Sequence, residues 1–172
     1  LFPHHLCQAD VQFLEAAGGE EVKAALKEMG EFFADNLYDP HRQNLKSVVG
    51  PGGERIGSHQ SYGHDCEICY LALHVASLAG DQALKAKMEK ICGDVLTNIR
   101  DHDFDSHGSL YNGCNLDTGE RPSSHVWWAQ AEAATAMLCV YELTGDDRFL
   151  SACERQIRFI DRYFIDRKHG DW

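Results

Sequence analysis

A chain of 172 residues with 44% hydrophobic and 25% charged side chains has the make-up of one globular domain with a substantial core, which excludes disorder as the default state. Its 16 Lys and Arg stand against 27 Asp and Glu, a net charge of −11 with no basic stripe, so a nucleic-acid partner is not expected and the acidity bears on solubility more than on substrate. The longest apolar stretches, 69–79 and 126–140, are broken by polar groups and too short for a bilayer, so no membrane partner is expected either.

The chain opens at Leu1-Phe2-Pro3 without an initiator Met or a charged leader, and it stops at Gly170-Asp171-Trp172 with no winding-down of composition. That suggests a piece of a longer protein. His4-His5-Leu6-Cys7-Gln8 begins the first predicted helix of a hairpin over about 4–38. Its turn is Ala17-Gly18-Gly19-Glu20-Glu21, where a Gly ends one helix and acidic residues suit the next N-terminus. The second helix is amphipathic, with Val22, Leu26, Met29, Phe33 and Leu37 at steps of three or four.

A connection over 39–61 follows, rich in Gly, Asn, Asp and Ser. Gly50-Pro51-Gly52-Gly53-Glu54-Arg55 lacks the Lys-Ser/Thr of a phosphate loop and is a plain turn. The second hairpin, over about 62–103, starts with Tyr62-Gly63-His64-Asp65-Cys66-Glu67. His64 and Glu67 are three residues apart and share a helix face, so the carboxylate can orient the imidazole as a base. The plain alternative is a helix N-terminus whose acidic residues serve the dipole. The helix from 64 to 79 is apolar or small nearly all round, as a helix buried on both sides would be. After Leu78-Ala79-Gly80-Asp81, its amphipathic partner carries Leu84, Met88, Ile91, Val95 and Ile99.

A second long connection, 103–122, includes a segment over 108–119 expected to form a short hairpin. Loops of this length usually shape a functional site. The third hairpin, about 123–167, begins with His125-Val126-Trp127-Trp128-Ala129-Gln130-Ala131-Glu132. Adjacent Trp side chains point about 100° apart on a helix, so one can pack in the wall while the other offers a platform for a sugar. Two Trp residues filling core volume is the competing use. The helix runs from 124 to 143, turns at Leu143-Thr144-Gly145-Asp146-Asp147, and is followed by Leu150, Cys153, Ile157, Ile160 and Phe164 on one face.

The turns recur after 62 and 65 residues, counted from Gly18 to Gly80 to Gly145, so a helical hairpin is the repeated unit. Buried first helices and half-exposed second helices describe an inner and an outer layer in an arc or ring. His5, His64 and the Trp pair then fall at matching places of three successive repeats. The seven cysteines, Cys7, Cys66, Cys69, Cys92, Cys114, Cys139 and Cys153, lie mostly in apolar helical stretches, as reduced thiols of a cytoplasmic protein would. Cys66-x-x-Cys69 lacks the second ligand pair of a zinc site and the βαβ context of a redox motif. The order of His64 and Glu67 is the reverse of a di-metal helix motif, so no metal and no cofactor are implied.

Gly63-His64-Asp65-x-Glu67 with Tyr70-Leu71, then Trp127-Trp128-x-Gln130-Ala131-Glu132-Ala133, then Phe159-Ile160 and Asp166 before Gly170-Asp171-Trp172, resembles the N-acylglucosamine 2-epimerase superfamily, most of all its cellobiose 2-epimerase branch. The resemblance runs over nearly the whole chain and implies an all-α fold of helical hairpins forming about half of an (α/α)6 barrel. It implies a sugar substrate, with His64 moving the proton at C2, Glu67 supporting it, and Trp127 as the stacking wall. It implies His5 as a further catalytic residue, corresponding to the His of the family's His-Leu-Leu-Glu-Ala, here His5-Leu6-Cys7-Gln8-Ala9, with Gln8 where Glu is usual. Tyr70 stands where Trp is usual, and Asp171 where Glu is usual. Tyr62, Asp65, Tyr111, Gln130 and Glu132 are expected to contact the substrate. A second acid/base His of the family lies beyond Trp172, so the implied partner is the remainder of the barrel or a second copy. An aldose–ketose isomerase on the same scaffold, a non-catalytic carbohydrate-binding toroid and an (α/α)6 glycoside hydrolase are the alternatives; no pair of carboxyl groups is singled out for the last.

Overall fold

A computed structural model describes residues 19–170 of the chain. The helix expected from His4 lies outside the described residues. Those residues form five α-helices, α1 (Glu20–Phe32), α2 (Tyr62–Ala79), α3 (Gln82–His102), α4 (Trp127–Thr144) and α5 (Asp147–Tyr163), and four short strands, β1 (Tyr38–Asp39), β2 (Asn44–Leu45), β3 (His59–Ser61) and β4 (Gly113–Asn115). They fall into two compact units: one comprises residues up to Gly57 with Ile68–Val95, the other Ser58–Glu67 with residues from Leu96 on.

In the first unit, Glu20 and Glu21 in the first turn of α1 suit the positive end of the helix dipole. The spacing of Val22, Leu26 and Met29 puts one apolar face inward, where Leu26 is fully buried with Val75 among Val22, Met29, Leu78 and Ala79. A single π turn, Phe33–Leu37, passes the chain into the β1–β2 hairpin, in which Tyr38 pairs with Leu45. Gly80, at φ 72°, ends α2 in the left-handed conformation. Asp81 then accepts the N–H groups of Ala83 and Leu84, both at 3.0 Å, and so starts α3. The Lys27 ammonium, 2.6 Å from Asp81, and these N–H groups hold the carboxyl below its ordinary value.

The second unit repeats the device. Gly145, at φ 68°, donates its N–H to the Tyr141 carbonyl at 2.7 Å, and the Asp146 side chain takes the N–H of Arg148 at 3.0 Å to begin α5. The packed pair α4 and α5 buries Ala133, Ala136, Met137 and Val140 from one helix and Phe149, Ala152 and Cys153 from the other. Trp127, Leu138 and Leu143 on α4, and Ile157 and Tyr163 on α5, stay exposed.

The segment 108–119 does not pair with itself as expected. Phe104 bridges to Leu110 around a turn containing Gly108, while β4 pairs antiparallel with β3, Gln60 opposite Cys114 and Ser61 opposite Gly113. The reason is Gly113: any Cβ there would collide with the Gln60 carbonyl, so Gly alone permits this approach. Among the described residues, no helix is long and apolar enough to cross a membrane.

Replacing Leu26 by Ala removes the most buried side chain of the first unit's apolar cluster. Urea denaturation of the intact polypeptide is expected to register a loss of about 2–5 kcal/mol, and a cost below about 1 kcal/mol would mean that this cluster does not anchor α1.

Candidate functional site

The β3–β4 ladder delivers the chain to the N-terminus of α2, and the side chains at that junction interlock. Gln60, fully buried, donates from its amide nitrogen to the carboxylate of Asp65, also buried. Ser61 Oγ lies 2.8 Å from His64 Nδ1, fixing the imidazole from below the first turn. The indole of Trp128, at the start of α4, lies against the other side of that imidazole, with ring centroids 4.8 Å apart and planes inclined by 49°. Gly63 permits the approach. A Cβ at that position would come within 2.7 Å of Ala129 Cβ and 2.8 Å of Trp128 Cζ3, so any larger residue forces the two helix starts apart. His64 remains partly exposed, and Glu67, one turn on, is likewise only partly buried.

Next to this pair is a polar cluster around the buried Asp103. Arg121 donates to the Asp103 carboxylate at 2.7 Å and to the His102 carbonyl at 3.0 Å, and its guanidinium sits 5.3 Å from the centroid of the Tyr111 ring. Burial pushes the Asp103 carboxyl above its ordinary value, against the Tyr62 hydrogen bond and the Arg121 charge that pull it down. Burial likewise raises the Tyr62 phenol, helped by its hydrogen bond to Cys114 and by the nearby Asp103 charge. The Cys66 thiol is pushed well up by complete burial and by the charges of Asp65, Glu132 and Asp103, which makes it an inert core thiol.

The loop after α3 is fastened to α4 by amides. Gln130, fully buried, takes the Leu110 N–H at 3.0 Å and the Ser109 hydroxyl at 3.1 Å on its carbonyl oxygen, and its amide donates to the Leu110 carbonyl at 2.9 Å. Gln156 of α5, also fully buried, donates to the same oxygen at 2.6 Å. His125 closes the network: Nδ1 lies 2.7 Å from Ser109 Oγ and 3.1 Å from the Leu110 carbonyl, and Nε2 faces the Asp105 carboxylate at 3.7 Å. Since a carbonyl can only accept, Nδ1 carries a proton in this arrangement. The Tyr111 and Phe159 rings lie 6.2 and 5.8 Å from the His125 ring.

Of the residues singled out in the sequence, His64, Asp65 and Tyr62 therefore meet at the start of α2, Glu132 lies close enough to act on Cys66, and Tyr111 sits beside His125 and Arg121. Trp127 is 53% exposed, and the indole against His64 is that of Trp128. Gln130 engages both its oxygen and its amide nitrogen inside the chain. His5 lies outside the described residues. Gln60, Ser61, Arg121 and Ser109 carry geometry that the sequence does not single out, while His125 and Trp128 stand in the motif that opens the third hairpin. Among the described residues, no three His, Cys, Asp or Glu side chains converge as metal ligands would.

Residues 63–172 match the family model described as N-acylglucosamine 2-epimerase (GlcNAc 2-epimerase). The chain is 31% identical over 170 residues to a cellobiose 2-epimerase of Ruminococcus albus, covering 98% of this chain and 43% of that protein. It superimposes on the crystal structure of a sugar epimerase from a ruminal bacterium with a TM-score of 0.91 and 30% identity, over 99% of this chain and 43% of that one. The structure of cellobiose 2-epimerase from Bacillus thermoamylovorans gives a TM-score of 0.88 and 26% identity, over 99% and 43%. The chain thus spans less than half the length of the relatives it matches. The all-α hairpin fold is the one these epimerases share, and the expected fold class, part of an (α/α)6 barrel, holds.

The raised carboxyl of Asp103 has a pH signature. Folded Asp103 holds its proton more tightly than the unfolded chain, so its contribution to stability is full below the ordinary carboxylate pKa of about 4 and is lost as pH rises through the folded value. Asp103→Asn should flatten that decline in denaturation midpoints followed from pH 4 upward, relative to the parent; an unchanged pH profile would show that Asp103 does not titrate in this way.

Proposed function

This chain belongs to the N-acylglucosamine 2-epimerase family, and we propose that it supplies part of the active site of a sugar 2-epimerase. The observation that carries this reading is the imidazole of His64, held at Nδ1 by Ser61 and covered by the indole of Trp128. A fixed imidazole beside an aromatic face suits proton transfer on a sugar, with a ring nitrogen as the base and an apolar wall for the C–H face.

The substrate in this reading is the open-chain form of a reducing-end hexose, in a cellobiose-type disaccharide or an N-acylglucosamine. The imidazole of His64, oriented by Ser61, is the group assigned to the reaction. It takes the proton from C2, next to the C1 carbonyl, and the electron pair of the broken C–H bond passes into an enediolate. A proton returned to the opposite face of C2 by a second acid inverts that centre and restores the carbonyl, so no atom or electron is gained or lost. Return to C1 instead would make an aldose–ketose isomerase. Glu67 supports the base from the next turn, Asp65 and Gln60 stiffen the turn that holds it, and Trp127 extends the aromatic wall.

The second acid comes from outside the chain. Leu138 and Leu143 on α4, and Ile157 and Tyr163 on α5, leave apolar surface exposed besides. We assign its cover to further helices of the same polypeptide, in keeping with the greater length of the relatives. The six described cysteines are reduced thiols, which fits a reducing cytoplasm.

The test is an assay of the intact polypeptide in deuterated water. The epimer formed should carry deuterium at C2, and His64→Ala should lower the rate at least about 100-fold. Product without label at C2, or full activity in the variant, would remove His64 from this role; label at C1 with a ketose product would assign the isomerase outcome.

A further inference from the structure

The start of α4 has no cap of its own. Val126, at the N-cap position, offers no side-chain acceptor, yet the indole that covers His64 hangs two residues further on. One of the unpaired N–H groups at this helix start, that of Val126 itself, is met from the long loop instead. Asn112 Oδ1 takes the Val126 N–H at 2.9 Å, and its amide nitrogen donates to Ser124 Oγ at 3.1 Å, which fixes which way the amide faces. The backbone carbonyl of the same residue accepts the N–H of Tyr62, the first residue of α2, at 3.2 Å. One residue thus holds the entry of both helices, two positions before His64 in one and two before Trp128 in the other. The next residue, Gly113, is pinned against Gln60 by the β3–β4 ladder, so Asn112 cannot slide along the chain direction without breaking it.

We infer that Asn112 is a positioning residue of the sugar site, setting the seat of the Trp128 indole on the His64 imidazole by tying together the two helix starts that carry them. The inference rests on the epimerase reading for its catalytic consequence, but its geometric content stands apart from it. Asn112 touches no reacting atom. Its side chain acts on the α4 entry alone, since the bond to Tyr62 is made by the backbone and survives substitution.

This separation makes the role testable in the intact polypeptide. The ring protons of His64, identified by their loss in His64→Gln, lie in the ring-current field of Trp128 and report its position. Asn112→Ala should shift those resonances and lower kcat roughly 10- to 100-fold, the size expected for a misplacement of about 1 Å, with a smaller change in KM. Asn112→Asp keeps an acceptor for the Val126 N–H at the positive end of α4 and should return most of both signals. Ser124→Ala, which releases only the far side of the amide, should move the resonances in the same direction by less and serves if the Ala variant does not fold. Asp117→Ala, exposed on the same loop, should change neither. Unmoved His64 resonances in Asn112→Ala or Ser124→Ala would overturn the inference, as would an Asp variant no better than Ala. If the unsubstituted protein exchanges no proton at C2, the epimerase reading fails and the resonances alone judge the tie.

Discussion

The close approach of two helix starts governs the rest of the second unit. Gly63 leaves room for Ala129 and the edge of the Trp128 indole, and that contact sets the imidazole of His64 under an aromatic face. A helix N-terminus is a poor place to leave groups unsupported, because its first N–H groups have no partner within the helix. Here loop residues and short strands supply the partners: the ladder before α2, the Asn112 bonds, and the Ser61 hydroxyl on His64. Residues 59–61 and 112–115, within the two long connections, therefore serve the site as scaffolding.

The polar groups buried behind the site follow the same logic. Gln130, Gln156 and Ser109 are fully buried, and an unpaired amide or hydroxyl in such a place costs of the order of 1–3 kcal/mol. They are joined to each other and to the backbone of Leu110, which ties the loop to both α4 and α5, while Gln156 Oε1 is left without a protein partner. Arg121 and Asp103 do the same for the end of α3, with the Tyr111 ring against the guanidinium. A rigid wall of this kind lets a catalytic group hold a geometry that a free loop would not.

Much of this was legible in the sequence, and the limits of that legibility are physical. Helical periodicity marked the amphipathic faces of Leu26 and Met88, and Gly80 and Gly145 with their following Asp residues marked the turns, because these signals are local. The Gly-His-Asp and Trp-Trp motifs located the two helix starts for the same reason. The pairing of β4 with β3 was not legible, since three-residue strands separated by more than fifty positions leave no periodic trace; only Gly113 hinted at a close backbone approach. Nor did spacing distinguish the roles of Trp127 and Trp128, because two adjacent residues on a helix differ in direction but not in pattern. Gln130 stood in a motif suggestive of substrate contact, yet its amide is spent on the loop, a use that depends on a partner twenty residues away.

The central claim is that a linear sugar lies along the face shared by Trp128 and His64. The most direct measurement is a crystal structure of the intact polypeptide with a sugar alcohol, a ring-opened substrate mimic that lacks the C1 carbonyl and cannot react. The polyol chain should run against the indole with C2 about 3–3.5 Å from a nitrogen of His64, the separation of a near-attack geometry. A polyol bound away from both rings, with His64 out of reach of C2 even through a water molecule, would contradict it.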